Sequence, residues 1–296
     1  MQEFKHTPVL LKAVLEKFNP EVGQNFIDAT VGGGGHSRAL LESTSPTGRL
    51  LGLDQDDRAL AAAAENLKSF GARVSLAKGN FNRLAEIAEE KMPGVKFDGL
   101  LLDLGVSSDQ LAGGRGMSFM IDEPLDMRMS DEMTITAGEL INTAAAEDME
   151  KIFRRYGQER WAREIAHEIV RRRGKENIAT TKQLAELIVE VYKKQGSRSQ
   201  HPHPATRVFQ ALRIEVNAEL INLKSVLNQA YEVLKPGGKI AVISFHSLED
   251  RIVKEFFKAH TDEWEVVNKK PIIADEVELK NNPRARSAKL RVALKK

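Results

Sequence analysis

Cysteine is absent from all 296 residues. Disulfides, thiolate metal sites and a cysteine nucleophile are therefore excluded together. No run approaches the roughly 20 apolar residues that cross a membrane, and residues 1–10 (MQEFKHTPVL) lack the apolar core of a signal peptide. A cytoplasmic enzyme with no membrane partner is the expectation. The formal net charge is only +2, so the whole molecule is no polycation and the placement of its bases is what matters. No internal repeat is visible. With 42% hydrophobic and 29% charged residues, the composition is that of a globular chain able to bury one large core, or one core and a smaller appended domain.

What is present is organised around FIDATVGGGGHS, residues 26–37. Its first part is short, apolar and bounded by Gly23 and a glycine run, as a buried parallel strand is, and that strand ends in Asp28. Four glycines, Gly32 to Gly35, then strip the turn of side chains, so a polar ligand can lie against backbone amides at the start of the next helix. A lone glycine cluster would signify only unusual dihedrals. Here a second apolar strand, residues 49–53, leads about 20 residues later to Asp54, the spacing at which an acid reaches the ribose of an adenosine cofactor.

The alternation continues through helices at residues 37–41 and 56–70 and a strand at 73–77. A helix carrying Leu84, Ile87 and Ala88 follows, then a fourth strand closing on Asp103. This predicts an open, doubly wound α/β sheet with polar residues at the carboxyl ends of its strands. The pattern then turns purely helical. Met149, Ile152, Phe153 and Tyr156 share one face, as do Trp161, Ile165 and Ile169, and then Leu184, Leu187, Ile188 and Val191. Gly157 and Gly174 mark helix ends, and Thr180 with Gln183 fits a capping box. An all-helical insert is thus expected at residues 113–204, between sheet-domain parts at 1–112 and 205–296. One long helix over residues 205–234 should return the chain to the sheet, ending at LKPGG. A fifth strand at 239–245, a helix at 248–259 and strands at 265–268 and 289–294 complete it, the last two suiting an antiparallel hairpin at the sheet edge.

Nicotinamide dinucleotides and S-adenosylmethionine both present a ribose to an acid after the second strand. VGGGGHS gives no comfortable G-x-G-x-x-G, because Ser37 and Arg38 stand where the third glycine belongs. Acids at three strand ends (Asp28, Asp54, Asp103) suit a cationic sulfonium better than a pyrophosphate. A nicotinamide-dependent oxidoreductase and a non-catalytic RNA-binding assembly factor remain as alternatives. Seven ordered motifs, KHTPVLL (5–11), GGGGHS (32–37), LLDLGVSSDQL (101–111), PLDMRM (124–129), HPATRVFQALRI (203–214), ISFHSLEDRIVK (243–254) and NPRARSAKLR (282–291), span nearly the whole chain. Together they resemble the RsmH, or MraW, type of ribosomal RNA small-subunit methyltransferase.

That resemblance implies a class I, Rossmann-like methyltransferase that uses S-adenosyl-L-methionine to methylate N4 of a cytidine in the decoding (P-site) region of 16S rRNA, within the small subunit. It carries cofactor contacts onto Gly34, Gly35, His36, Asp54, Phe81, Asp103 and Gln110. The residues themselves agree with most of these: Asp54 can hold ribose hydroxyls, Phe81 can lie against adenine, and Gln110 offers a donor and an acceptor. Plainer readings accompany them, core packing for Phe81 and a helix start for His36. Many enzymes that methylate exocyclic amines follow the fourth strand with Pro-Pro and an aromatic residue. Here Asp103 is followed by Leu104, Gly105 and Val106, so the stacking ring is missing from that place. His246 is a candidate to touch the base, with helix capping by Ser247 the competing role of its neighbour. Clustered bases at Arg171, Arg172 and Arg173, and at Arg284 and Arg286, are candidates to meet RNA. No metal is expected, since the only close histidine pair, His201 and His203, sits in a proline-rich loop. Methylation at C5 of a pyrimidine by the thiolate route is excluded by the missing cysteine. Direct attack of an amine on the methyl group remains, with Asp103 as the candidate catalytic acceptor.

Overall fold

Uninterrupted runs of leucine, isoleucine and phenylalanine build the centre of the sheet. The computed structural model describes residues 8–105, 114–197 and 203–296; Gln110 and His201 lie outside them. They form two units, Met1–Gly105 with Leu220–Lys296, and Val106–Glu219.

In the first unit, β1 (Phe26–Asp28), β2 (Leu50–Asp54), β3 (Val74–Lys78), β4 (Phe97–Asp103), β5 (Leu234–Ser244), β6 (Trp264–Val266) and β7 (Lys289–Lys295) make one sheet in the order β3-β2-β1-β4-β5-β7-β6. The first five strands pair in parallel, and β7 pairs antiparallel with both β5 and β6. Alternate strand residues feed two cores. Ile27, Leu51, Leu100, Leu102 and Val242 pack with α4 (Leu84–Lys91), α10 (Glu219–Val233) and α11 (Ser247–Ala259). Phe26, Leu50, Leu101 and Ile243 pack with α1 (Leu11–Phe18), α2 (Gly35–Ser43) and α3 (Asp57–Leu67) on the other face. Burial on both faces is what makes these strands read as continuous apolar runs. A short α12 (Glu276–Asn281) precedes β7. The chain reverses its direction of winding between β1 and β4, and Asp28, Asp54 and Asp103 all stand at carboxyl ends around that switch point, where ligands of such sheets bind. Strand β5 begins at Leu234, earlier than expected, because Leu234 pairs with Phe97 before the LKPGG turn; the register then jumps to Gly99 opposite Lys239.

The second unit holds α5 (Ala137–Thr143), α6 (Ala146–Gly157), α7 (Ala162–Arg173), α8 (Thr181–Lys194) and α9 (Thr206–Val216) around Met149, Phe153, Ile165, Ile169, Leu187 and Ile188. Reciprocal capping boxes start α5 (Thr136 with Glu139) and α8 (Thr180 with Gln183). Its limits differ from residues 113–204. The single helix expected over 205–234 is two, broken where Ala218 adopts φ 49°. Its first half, α9, buries Val208, Phe209, Ala211 and Leu212 in the helical core. Just beyond it, buried Asn217 clips the PLDMRM segment, donating to the Met127 carbonyl at 2.8 Å and accepting from the Met129 amide at 2.8 Å. The bidentate pair of Arg213 with Glu219, at 2.7 and 3.0 Å, spans the break. Gly157 serves an approach rather than a stop: a Cβ there would lie 2.5 Å from the Arg207 carbonyl of α9, while Gln158 takes the left-handed cap. Among the described residues no helix is long and apolar enough to cross a membrane.

Candidate active site

The glycine turn between β1 and α2 is held by the acids around it. Asp54 accepts from the Gly32 amide through Oδ2 and from the Asp56 amide through Oδ1, each at 3.0 Å. The end of β2 therefore sets both the turn and the start of α3. Gly34 has φ 81° against Leu67. Gly35 meets a different limit, since a Cβ there would lie 2.5 Å from Cγ of Pro8, so the turn is covered on that side by Pro8. Among the described residues Gly33 has no neighbour within 4 Å of the place a Cβ would take, leaving its face open to a ligand. Asn80, linked to Gln55 at 3.2 Å, caps the turn that carries half-buried Phe81. Phe81 packs against one sheet core, so the plainer reading of that residue is satisfied together with its place near a strand end.

Asp28 is buried, accepts a 2.7 Å hydrogen bond from Ser37, and meets Thr30. Burial, opposed by those hydrogen bonds, pushes its carboxyl up to about 6. The Thr30 hydroxyl accepts from the Asp103 amide at 2.7 Å, tying the ends of β1 and β4 together. Asp103 is pushed well above the usual carboxylate range by burial first, then by the charges of Asp28 and Glu249. Its Oδ1 is buried and has no hydrogen-bond partner among the described residues, while Oδ2 lies 3.7 Å from Nδ1 of His36. His36, buried in the first turn of α2, points Nε2 at the Val9 carbonyl 2.9 Å away. That acceptor places a proton on Nε2 and turns Nδ1 toward Asp103. Burial likewise raises the Asp54 carboxyl. The strand ends thus hold acids that are expensive to ionise, one of them with an oxygen that lacks a donor among the described residues, a surround suited to a ligand that brings positive charge and N–H groups.

Across from β4, the segment after β5 is pinned by Glu249. Its Oε2 accepts from the Phe245 amide at 2.8 Å and the His246 amide at 3.1 Å. His246, not Ser247, is the N-cap of α11, accepting weakly from the Glu249 amide at 3.4 Å. Sequence reading passed over Glu249, Thr30 and Ser37. Only Glu249 carries a local signal, the x-x-Glu spacing of a capping box with histidine in place of serine or threonine.

The basic clusters are engaged differently. In the helical unit Arg173 donates to the carbonyls of Ile141 and Ala144 at 2.6 and 2.7 Å, securing the end of α5. Arg171 and Arg172 pair with Glu168, Arg172 also with Glu190, and both line a polar cavity of about 350 Å³ with Lys175 and Asn177. Arg284 and Arg286 are exposed on the 3-10 turn Pro283–Ser287 of the sheet unit.

The model of the MraW methylase family matches residues 3–296. A ribosomal RNA small subunit methyltransferase H of Heliobacterium modesticaldum is 46% identical over 99% of both chains. The protein of that name from a Cyanothece species is 50% identical over 98% of this chain and 95% of its own. A solved rRNA methylase from Streptococcus thermophilus, 8% identical, aligns over 95% of each chain with a TM-score of 0.45, a resemblance too remote to bear on chemistry. With its family motifs matched from end to end and its strand-end acids gathered around a glycine turn, the chain belongs to the MraW methylase family and is an S-adenosylmethionine-dependent methyltransferase.

Proposed function

We propose that this protein methylates N4 of a cytidine in the decoding region of 16S rRNA, acting in the cytoplasm on RNA within the small ribosomal subunit. The relatives named above support the RNA class, and the observation that carries the amine chemistry is Asp103. At the switch point its buried Oδ1 has no partner among the described residues, and its Oδ2 lies 3.7 Å from His36. An exocyclic amine offers the N–H that this oxygen lacks.

Bound S-adenosylmethionine supplies a methyl group on a sulfonium, open to in-line attack by nitrogen. Gly34 and Gly35 give the cofactor's tail a backbone surface, with Gln110 and His36 as further contacts of that end. Asp54 receives the ribose hydroxyls on lone pairs left beside the Gly32 and Asp56 amides, since a carboxylate accepts about four hydrogen bonds. Phe81 would lie along the adenine. Asp103 accepts a hydrogen bond from N4, turning the amine's lone pair out of conjugation, and takes up its proton as nitrogen becomes cationic. A raised carboxyl is a stronger base once ionised, and a neighbouring cation helps to ionise it. The helical insert, with Arg171 and Arg172, and the exposed Arg284 and Arg286 receive phosphates; His246 stands near the base. Arg173, already spent on two carbonyls, is left out of the RNA contacts.

The test is methyl transfer from labelled cofactor to small subunits and to naked 16S rRNA, followed by mass mapping of the RNA. Label on N4 of one decoding-region cytidine is expected. Label on a base carbon, a ribose or another RNA overturns the reading.

A further inference from the structure

Amine methylation requires a flat base held so that only its amine meets the methyl group, yet Leu104 and Gly105, following Asp103, bring no ring. We propose that the face of Phe245 carries the target pyrimidine, and that position 105 is glycine so that this ring can lie at the strand ends; this rests on the cytidine reading above.

Register brings the two residues together. Asp103 pairs with Ile243, and the Leu104 amide continues the ladder to the Ile243 carbonyl at 2.9 Å. Two residues on, Gly105 and Phe245 meet. A Cβ on Gly105, which has φ 99°, would lie 3.3, 3.7 and 3.8 Å from Cδ2, Cγ and Cε2 of Phe245. The ring is therefore laid on bare backbone, two residues past the carboxylate that faces the amine. Phe245 is half-buried, whereas Ile243 in the same core is fully buried. Packing uses part of the ring and leaves the rest at the surface.

The backbone carrying the ring is fixed. Buried Glu249 takes the amides of Phe245 and His246 on one oxygen, and its charge is also felt by Asp103. One carboxylate thus joins the aromatic residue to the acid side of the site, as a preorganised platform needs. An aromatic face stacks on a pyrimidine whatever its edge pattern, leaving N4 to be read by Asp103.

The experiment compares Phe245→Leu and Phe245→Tyr with the parent on small subunits. Single-turnover methylation at saturating cofactor, calorimetric cofactor affinity and melting temperature are measured together. Phe245→Leu should lose about 10- to 100-fold in kcat/KM for RNA, the range of one base stack. Its cofactor affinity should stay within about twofold, and Phe245→Tyr should recover most of the rate. A Phe245→Leu enzyme as fast as the parent overturns the proposal. So does parallel loss of cofactor affinity and melting temperature in both variants, which marks a packing residue. Should Phe245→Leu fail to fold, Phe245→Trp serves, because its added fluorescence must be quenched by a cytidine-containing oligonucleotide; an unchanged spectrum overturns the assignment. If the parent leaves cytidine N4 unmodified, the underlying reading fails and the pyrimidine platform with it. If the parent methylates N4 and Phe245→Leu matches it, only the role of Phe245 fails.

Discussion

Asp28 and Asp103 in the sheet unit and Asp126 and Glu168 in the helical unit are the same functional group kept in opposite ways. Asp126 is partly buried, yet the hydrogen bonds and charge of Arg128 outweigh that burial and hold it below the ordinary carboxylate range. Glu168 is held low by its hydrogen bond from Arg171, with Lys194 and Arg172 adding charge. Glu219 receives a bidentate arginine. At the strand ends no arginine or lysine among the described residues plays that part. Asp28 has hydroxyl and amide donors, Asp103 has an oxygen with none among those residues, and both carboxyls are pushed up. Elsewhere in the sheet unit acids do pair with bases, as Asp250 does with Arg291; the strand-end acids are left to a ligand. A cluster of raised carboxyls is destabilising by itself, and its retention is the physical mark of a site.

The largest expected effect is on stability at Asp28. Its folded carboxyl titrates near 6 instead of 3.8, so the folded state binds the proton more tightly. The stability this group contributes is complete below pH 3.8 and lost as pH rises through 6. Asp28→Asn keeps an acceptor for Ser37 without the charge. It should be more stable than the parent at pH 7.5 by up to about 3 kcal/mol, the two converging below pH 4, in urea unfolding of ligand-free protein. Equal gains at both pH values would remove ionisation from the explanation.

Nearly as large is the rate effect at Asp103. Asp103→Asn should lower single-turnover methylation by about 10²-fold or more, near 2.7 kcal/mol, with a smaller loss of cofactor affinity. Full recovery at saturating cofactor would reduce Asp103 to an anchor. Because burial raises this carboxyl, its ligand-free asparagine variant should also unfold no more easily than the parent.

Asp54→Ala is expected to weaken cofactor binding about 10- to 100-fold, on the order of 1.5–3 kcal/mol. It also leaves the Gly32 and Asp56 amides without their acceptor, so the melting temperature should fall as well. Unchanged affinity in calorimetry would sink the ribose assignment.

Smallest is the control in the helical unit. Glu168→Gln removes a partner from side chains that are half exposed at Arg171, so its cost should stay below about 1 kcal/mol and shrink in salt. A loss of several kcal/mol there would erase the contrast between the units.

Much of this was legible in the sequence because it is periodic or local. Apolar runs ending in Asp28, Asp54 and Asp103, the glycine turn and the capping box at Thr180 all announce themselves within a few residues. The hidden parts are tertiary hydrogen bonds. Asn217 is a residue type found at helix ends, but the helical pattern runs on past it, and only the fold shows its side chain bound to the distant Met127 and Met129 backbone at the break. Arg173 reads as one of three surface bases, but only the fold reveals the carbonyls at the end of α5. Phe245 looks like the tail of a buried strand until the register sets it against Gly105.

The place of β7 also governs the order in which the molecule can be made. Strand β7 is bonded on both edges, to β5 through pairs from Lys239↔Leu294 to Ser244↔Lys289 and to β6 through Trp264↔Lys295. Leu290, Val292 and Ala293 on it are buried. During synthesis the helical unit, whose last residue is Glu219, can close while the sheet still lacks the strand that joins β5 to β6. The nascent sheet therefore exposes an unpaired edge until residues 289–295 emerge, and its completion depends on contacts of long sequence separation, the slow kind. Synthesis stalled before residue 289 would leave a folded insert on an open sheet, a species prone to pair with other chains.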